Sequence, residues 1–321
     1  MMARLNNIII YFVLAVIGFN IFIFAIDNEG DEENHQEKIE RDYNIYSLNI
    51  PDTFHFCKES VPLNNIDIKE RFDRELLVNT YYQSQTLLYI KRSTRWFPVI
   101  EKILKKNNVP EDFKYLCLIE SGLTNAVSPA GAKGFWQFMP STGKEFGLEV
   151  NDEVDERYHV EKSTEAACEY LLDAYEKYDS WTLAAASYNM GMNGLSKSMS
   201  RQSARNYYDL LLNEETARYV FRILAAKEIL NNALKYGFHV RKKDRYKPYA
   251  YTEIKIDSAI ADFASFAQSK KINYKILKLF NPWLRQKYLR NKNSKSYVLK
   301  IPTEGFAPIG VLPSLSDSIK E

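Results

Sequence analysis

From Ile66 through residue 236 the apolar positions recur at helical spacing. Phe72, Leu76, Leu77 and Tyr81 share one face. Leu87, Leu88 and Ile90, then Trp96, Ile100, Ile103 and Leu104, continue the period. Pro98 has no amide hydrogen and predicts a boundary near Trp96. A short helix is expected to begin near Val109. Pro110 suits its first turn, and Glu111 and Asp112 complement the positive end of its dipole. It runs through Phe113, Leu116, Cys117 and Glu120, and Gly122 is its natural stop. A loop rich in Gly, Ser and Pro follows over 122–134. Further helices are predicted over 161–178, 180–188 and 214–236. Strands are almost absent from this pattern before residue 245.

Near Tyr246 the character of the chain changes. Alternation over 249–256 predicts a strand, and 261–267 and 274–280 read as short helices. Asn281-Pro282-Trp283 reads as a stop, and 296–301 as a second strand. The fold class expected is therefore mainly α: a helical domain over 63–245 with a small βααβ module over 246–305 and a tail over 306–321. Residues 27–62, polar and acidic with little periodicity, read as a linker and extended lead-in. Residues 1–26 read as a membrane anchor or signal peptide. The run 8–26 contains only Asn20 as a strongly polar residue, and about 20 apolar residues span a bilayer as a helix. Arg4 before it and the acidic stretch after it favour an inside N-terminus with the remainder exported. A signal peptide cleaved near Ala25 is the alternative, though the run is long for one. Either way the chain is expected in the periplasm or cell envelope, held at the cytoplasmic membrane if the run stays uncleaved.

Composition narrows the function classes. A formal charge of +2, with 45% hydrophobic and 26% charged residues, describes an ordinary globular protein. It excludes nucleic acid as the main partner, since Arg241-Lys242-Lys243 and the cluster over 290–295 read as solvated loop charge. Cys57, Cys117 and Cys168 form no disulfide framework and have no zinc spacing. They read as buried thiols, with one bridged pair as the alternative. His35, His55, His159 and His239 are scattered, so no metal is expected and no organic cofactor.

Glu120 is the residue placed for chemistry. It sits in the last turn of its helix, where the dipole disfavours an ionised carboxylate. Leu116, Cys117, Leu118 and Ile119 make its surroundings apolar, which pushes the same way. A carboxyl kept protonated near neutral pH is what a general acid requires. The competing reading is a surface glutamate at a helix end.

The flanking residues favour the chemical reading. Glu120-Ser121-Gly122, Ser128-Pro129-Ala130-Gly131-Ala132 and Gly134-Phe135-Trp136-Gln137-Phe138-Met139-Pro140-Ser141-Thr142 resemble the catalytic segment of lytic transglycosylases of the soluble, goose-lysozyme-like group. The resemblance continues at Asp155-Glu156-Arg157, Ser163-Thr164-Glu165-Ala166-Ala167, Ala186-Ser187-Tyr188-Asn189-Met190-Gly191 and Glu215-Thr216 with Tyr219-Val220. The arrangement is similar to the membrane-bound D type, and the βααβ tail looks like a degenerate LysM module in which Ile256-Asp257-Ser258 replaces the usual Gly-Asp-Thr. Sugar binding or a packing role are both open for that tail.

The resemblance implies a lysozyme-like helical fold with a groove for peptidoglycan glycan strands. Glu120 would protonate the bond between N-acetylmuramic acid and N-acetylglucosamine. It would then deprotonate the muramic C6 hydroxyl, which closes a 1,6-anhydro ring. Substrate contacts are implied for Ser128, Gln137, Tyr188, Asn189, Tyr219 and Glu215. Trp136 and Met139 either line the cleft or pack beneath it, and Asp155 and Glu156 are supporting. The alternatives are a lysozyme-type hydrolase of the same bond and an inactive glycan-binding envelope protein.

Overall fold

The computed structural model describes Glu37 and residues 45–306. The expected anchor, most of the linker and the tail beyond 306 lie outside the described residues. Within them no helix is long and apolar enough to cross a membrane. From Leu48 onward the described chain forms one compact unit.

Eight α-helices build the larger part: α1 (Ile66–Tyr81), α2 (Gln83–Lys106), α3 (Phe113–Ser121), α4 (Pro140–Glu145), α5 (Val160–Tyr178), α6 (Trp181–Met190), α7 (Met192–Gln202) and α8 (Glu214–Asn231). Helix α8 is buried on nearly every side through Tyr219, Val220, Phe221, Ile223, Leu224 and Ile229, and packs against α1, α3 and α6. A helix buried over most of its circumference is a core helix, and its charged residues are paired or bonded to backbone. Helix α6 buries Ala184, Ala185 and Ala186, whose small side chains let α5 and α8 approach its backbone closely. The starts are capped as helix physics prefers. Asn65 accepts from Asp67 N at 3.0 Å, Asn213 from Thr216 N at 3.0 Å and Ser180 from Leu183 N at 3.3 Å.

Several features depart from the sequence pattern. Pro98 does not end a helix: it lies inside α2. A missing helical bond costs about 3 kcal/mol, and packing on both sides outweighs it. Trp96 meets Phe135 edge-on with centroids 4.9 Å apart, Phe97 meets Tyr115 at 5.5 Å, and Ile100 and Leu104 are fully buried. Next, part of the expected linker is a β-hairpin, β1 (Phe54–Phe56) and β2 (Glu59–Val61), paired from Phe54↔Val61 to Phe56↔Glu59. Cys57 and Lys58 both take left-handed backbone, at φ 51° and 70°, as the hairpin turn requires. Asp112 Oδ2 accepts the Cys57 amide at 2.7 Å and steadies that turn. Phe54 and Phe56 then pack on Phe72 and Phe113. Finally, the helix expected over 214–236 ends at Asn231, followed by a separate 3-10 turn, Ala233–Tyr236.

The hairpin also reaches the helix that carries the Tyr188-Asn189 pair. The Glu59 carboxylate accepts from Trp181 N at 2.5 Å, Thr182 N at 2.9 Å and the Ser180 hydroxyl at 3.1 Å. It thus places a negative charge on the positive end of α6.

The C-terminal module is β3 (Tyr251–Ile256), α9 (Phe263–Ser269), α10 (Tyr274–Phe280) and β4 (Tyr297–Pro302), the βααβ order expected, with β3 antiparallel to β4 from Tyr251↔Pro302 to Ile256↔Tyr297. Phe263, Ala267, Leu277, Leu284 and Leu299 are fully buried in its core. Asn281, also fully buried, caps the end of α10. Its amide donates to Leu277 O and Lys300 O and accepts from Lys300 N, so no polar atom of it is stranded. All three cysteines are buried free thiols, and the bridged pair is not formed.

Candidate active site

The two residues after Pro110 turn before α3 begins at Phe113, later than the sequence pattern expects, and Asp112 is spent on Cys57 and Lys227. The end of α3 is where expected. Gly122 takes the left-handed conformation at φ 60° and its N–H returns to Leu118 O. Glu120 therefore sits in the final turn, partly exposed, over fully buried Leu116, Cys117 and Leu118.

The Glu120 carboxyl accepts a hydrogen bond from the Tyr219 hydroxyl. Its pKa is pushed up to about 7, first by crowding with protein atoms. The Tyr219 bond and the nearby Arg222 charge pull it down, and Glu215 adds to the rise. Burial wins over its two stabilising partners, leaving a carboxyl that holds or releases a proton near neutral pH. Arg222 lies on the same helix face as Tyr219, one turn on, and its guanidinium donates to Ile119 O at 3.1 Å. The sequence reading missed Arg222. Its spacing of three from Tyr219 was the available signal.

Tyr188 is the second phenol that the Glu120 charge reaches. Its hydroxyl donates to Trp136 O at 2.8 Å. Burial first, then the neighbouring Glu120 charge, pushes the Tyr188 phenol well above its ordinary range. Burial and Glu120 do the same to Tyr219. Both phenols consequently remain donors throughout the neutral range. Asn189, the next residue, donates to Glu215 at 3.0 Å and accepts from the Thr216 hydroxyl at 2.7 Å, tying the end of α6 to the start of α8.

The loop between α3 and α4 closes through its own polar groups. Ser128 Oγ accepts the Ala132 amide at 3.0 Å, which closes a turn at Pro129. Gln137, at φ 50°, turns its amide inward to Ala126 O at 3.1 Å and Gly134 O at 2.7 Å. Of the two positions expected for Trp136, it takes the one beneath the surface. It is fully buried and donates to Thr164 Oγ1 at 2.8 Å. Met139 is 40% exposed and Val127 58% exposed, so the loop presents both apolar side chains to solvent. The sequence reading singled out Met139 and not Val127.

Asp155 and Arg157 hold this loop from behind. The Asp155 carboxylate takes Arg157 through Nε at 2.9 Å and the terminal nitrogen at 2.7 Å. Arg157 spends its other nitrogen on Gly131 O and Phe138 O, both at 3.1 Å. A buried, fully satisfied pair of this kind fixes backbone geometry. Glu156 accepts the Glu149 amide at 2.9 Å and pairs with Lys162.

Comparison with known proteins follows the same outline. Residues 97–211 match the transglycosylase SLT domain, and residues 252–305 match the soluble lytic transglycosylase C-terminal LysM-like domain. Membrane-bound lytic murein transglycosylase D of Escherichia coli K12 is 31% identical over 230 residues, covering 70% of this chain and 49% of that protein. The same protein of Escherichia coli O6:H1 matches equally. The chain thus spans about half the length of the curated relatives it matches. The crystal structure of an inactive mutant of lytic transglycosylase Slt from Pseudomonas aeruginosa aligns with 47% of this chain and 26% of that one, at 20% identity and a TM-score of 0.36. With both domains matched in order, the chain carries a transglycosylase SLT domain, lysozyme-like and helical, with a soluble lytic transglycosylase LysM-like domain behind it.

Proposed function

We propose that this protein is a peptidoglycan lytic transglycosylase that cuts the β-1,4 bond between N-acetylmuramic acid and N-acetylglucosamine. The observation that carries the reading is a single carboxyl with pKa about 7, at the end of α3, bonded to a buried tyrosine. Two-carboxylate glycosidases pair a proton donor with a second acid. Here one group serves twice. Protonated Glu120 gives its proton to the glycosidic oxygen as the bond to C1 breaks. The Glu120 carboxylate then takes the proton of the muramic C6 hydroxyl as that oxygen bonds to C1. The ring closes, the carboxyl is restored, and no water is consumed. The substrate's own N-acetyl group steadies the cationic centre between the two events.

The neighbouring groups fit supporting roles. Tyr219 orients the carboxyl, the Tyr188 phenol feels its charge, and Glu215 holds Asn189. Met139 is exposed for contact with the glycan, whereas Ser128 and Gln137 use their polar atoms to shape the loop. Residues 63–245 are proposed as the catalytic domain and 246–305 as the module. Residues 8–26 are proposed as an anchor in the cytoplasmic membrane, with the enzyme acting on wall material outside it in remodelling or turnover.

The test is product mass. Incubated with purified peptidoglycan, the protein is expected to release fragments ending in 1,6-anhydro-muramic acid, lighter by one water than hydrolysis products. Reducing-end muramic acid would make it a hydrolase instead. Folded protein that pellets with the wall and releases nothing would make it a binding protein.

The pH profile gives a second check. The proton-donor form is lost as pH rises through about 7, so kcat/KM is expected to fall about tenfold per pH unit beyond it. The Tyr219 hydroxyl holds the carboxyl's pKa down. In Tyr219→Phe the falling limb therefore moves to higher pH, while the maximum drops by about tenfold for the lost contact. A limb that stays in place would remove Glu120 as the titrating group.

A further inference from the structure

The seam between the two apolar cores carries an inference about the C-terminal module. Leu284 pairs with Val154 as an antiparallel β-bridge. The Asp155 amide donates to Trp283 O at 2.9 Å, and the Arg285 amide donates to Glu153 O at 2.7 Å. The Glu153 carboxylate accepts from the Arg290 amide at 2.8 Å and from its guanidinium. Glu149 takes the Lys295 ammonium at 3.0 Å and the Tyr297 hydroxyl at 3.1 Å. Val154 and Tyr158 are buried within the module's own apolar cluster. The module's core is thus completed by residues of the catalytic part.

Asp155 links this seam to the cleft. Its N–H belongs to the pairing with the module, and its carboxylate grips Arg157. Arg157 in turn holds Gly131 O and Phe138 O, the two ends of the segment containing Trp136. Trp136 O receives the Tyr188 hydroxyl beside Glu120. Hydrogen bonds therefore join Trp283 to Asp155, Asp155 to Arg157 and Arg157 to Phe138, the backbone leads from Phe138 to Trp136, and a further hydrogen bond reaches Tyr188, whose phenol feels the Glu120 charge. No such contact would be needed in a module tethered only to bind sugar, and the turn expected for sugar binding reads Ile256-Asp257-Ser258.

We propose that residues 283–285 of the LysM-like module are positioning residues: they pair with 153–155 and so set the loop over 126–138 against Glu120. The inference rests on the activity proposed above for its kinetic arm, and on the fold alone for its structural arm.

The structural arm is hydrogen exchange on the full chain. Arg285→Pro deletes the N–H that meets Glu153 O, together with the guanidinium that lies over Tyr158 and bonds Pro282 O, at an exposed position. Trp283→Ala loosens the seam more, and Trp283→Phe keeps the ring. Amides of 126–138 are expected to exchange about tenfold faster in the first two variants. Amides inside α8 keep their protection and report that the helical domain is folded, and Trp283→Phe stays near the parent. On soluble glycan strands kcat falls about tenfold with KM within about twofold. Unchanged exchange over 126–138 in both variants overturns the proposal, as does a kcat that holds while KM rises and pelleting with peptidoglycan is lost. If the parent chain forms no anhydro product, the functional reading fails, and the exchange result still decides the brace.

Discussion

Glu120→Gln is expected to lower product release by about 10²–10⁴-fold, the usual worth of a positioned general acid, and to raise stability above neutral pH. The first effect follows because the amide keeps the shape and the contact with Tyr219 but has no proton to give. The second follows from linkage. The folded carboxyl has a pKa of about 7 against 4.5 for the free group. Below pH 4.5 it is protonated in both states and costs nothing. As pH rises through that window, the unfolded chain ionises freely while the folded chain resists, so folding weakens. Above pH 7 the penalty is complete, on the order of 3 kcal/mol. Chemical denaturation of parent and variant should therefore coincide near pH 4 and separate by pH 8, with the variant the more stable. Equal stability at pH 8 would mean that burial does not strain the carboxyl, and the general-acid argument would lose its physical basis.

Gly134→Ala is expected to cost at least about 3 kcal/mol, in the range reserved for forced backbone change. A Cβ at Gly134 would stand 1.8 Å from Arg157 O, and the backbone there is already left-handed at φ 82°. No rotamer relieves a clash with a carbonyl. Either the loop or the 155–158 segment must move, and both carry the network that ends at Tyr188. Thermal unfolding should show a drop of several degrees, with activity falling even in the fraction that stays folded. Gly131→Ala is the control, since nothing lies within 4 Å of a Cβ there. At φ 89° it should show only the smaller cost of an unfavourable backbone. Equal effects for the two would mean that strain alone, not the approach of Arg157, explains Gly134.

The legible parts of this chain were those where local pattern and tertiary need agree. Helix α5 and helix α10 fell on their periodic stretches, because each has one apolar face and an explicit start and stop. The helix end that carries Glu120 was legible because Gly122 stops the helix, and only glycine takes that turn at little cost. The hairpin at 54–61 was not. Its strands are three residues each, and its turn is Cys-Lys, held left-handed by a carboxylate from another element. Pro98 was misread because a proline's local cost is visible in sequence, while the aromatic contacts that offset it are not. Trp136 lies in a motif next to Gln137, yet one faces the core and the other shapes the loop. Adjacent residues in irregular backbone have no period from which to read their direction.

Helix α8 bears on how such a site can be inherited. Glu120 lies inside the stretch 97–211 that matches the transglycosylase SLT domain, but Tyr219 and Arg222 lie beyond its end. Glu59, which neutralises the start of α6, and the whole of α1 lie before its start. A gene fusion that moved only the matched stretch would import Glu120 without its hydroxyl partner and without the core helix that packs against α3. The smallest heritable unit of this chemistry is therefore larger than its recognisable signature. Recombination breakpoints compatible with activity should fall outside 54–231.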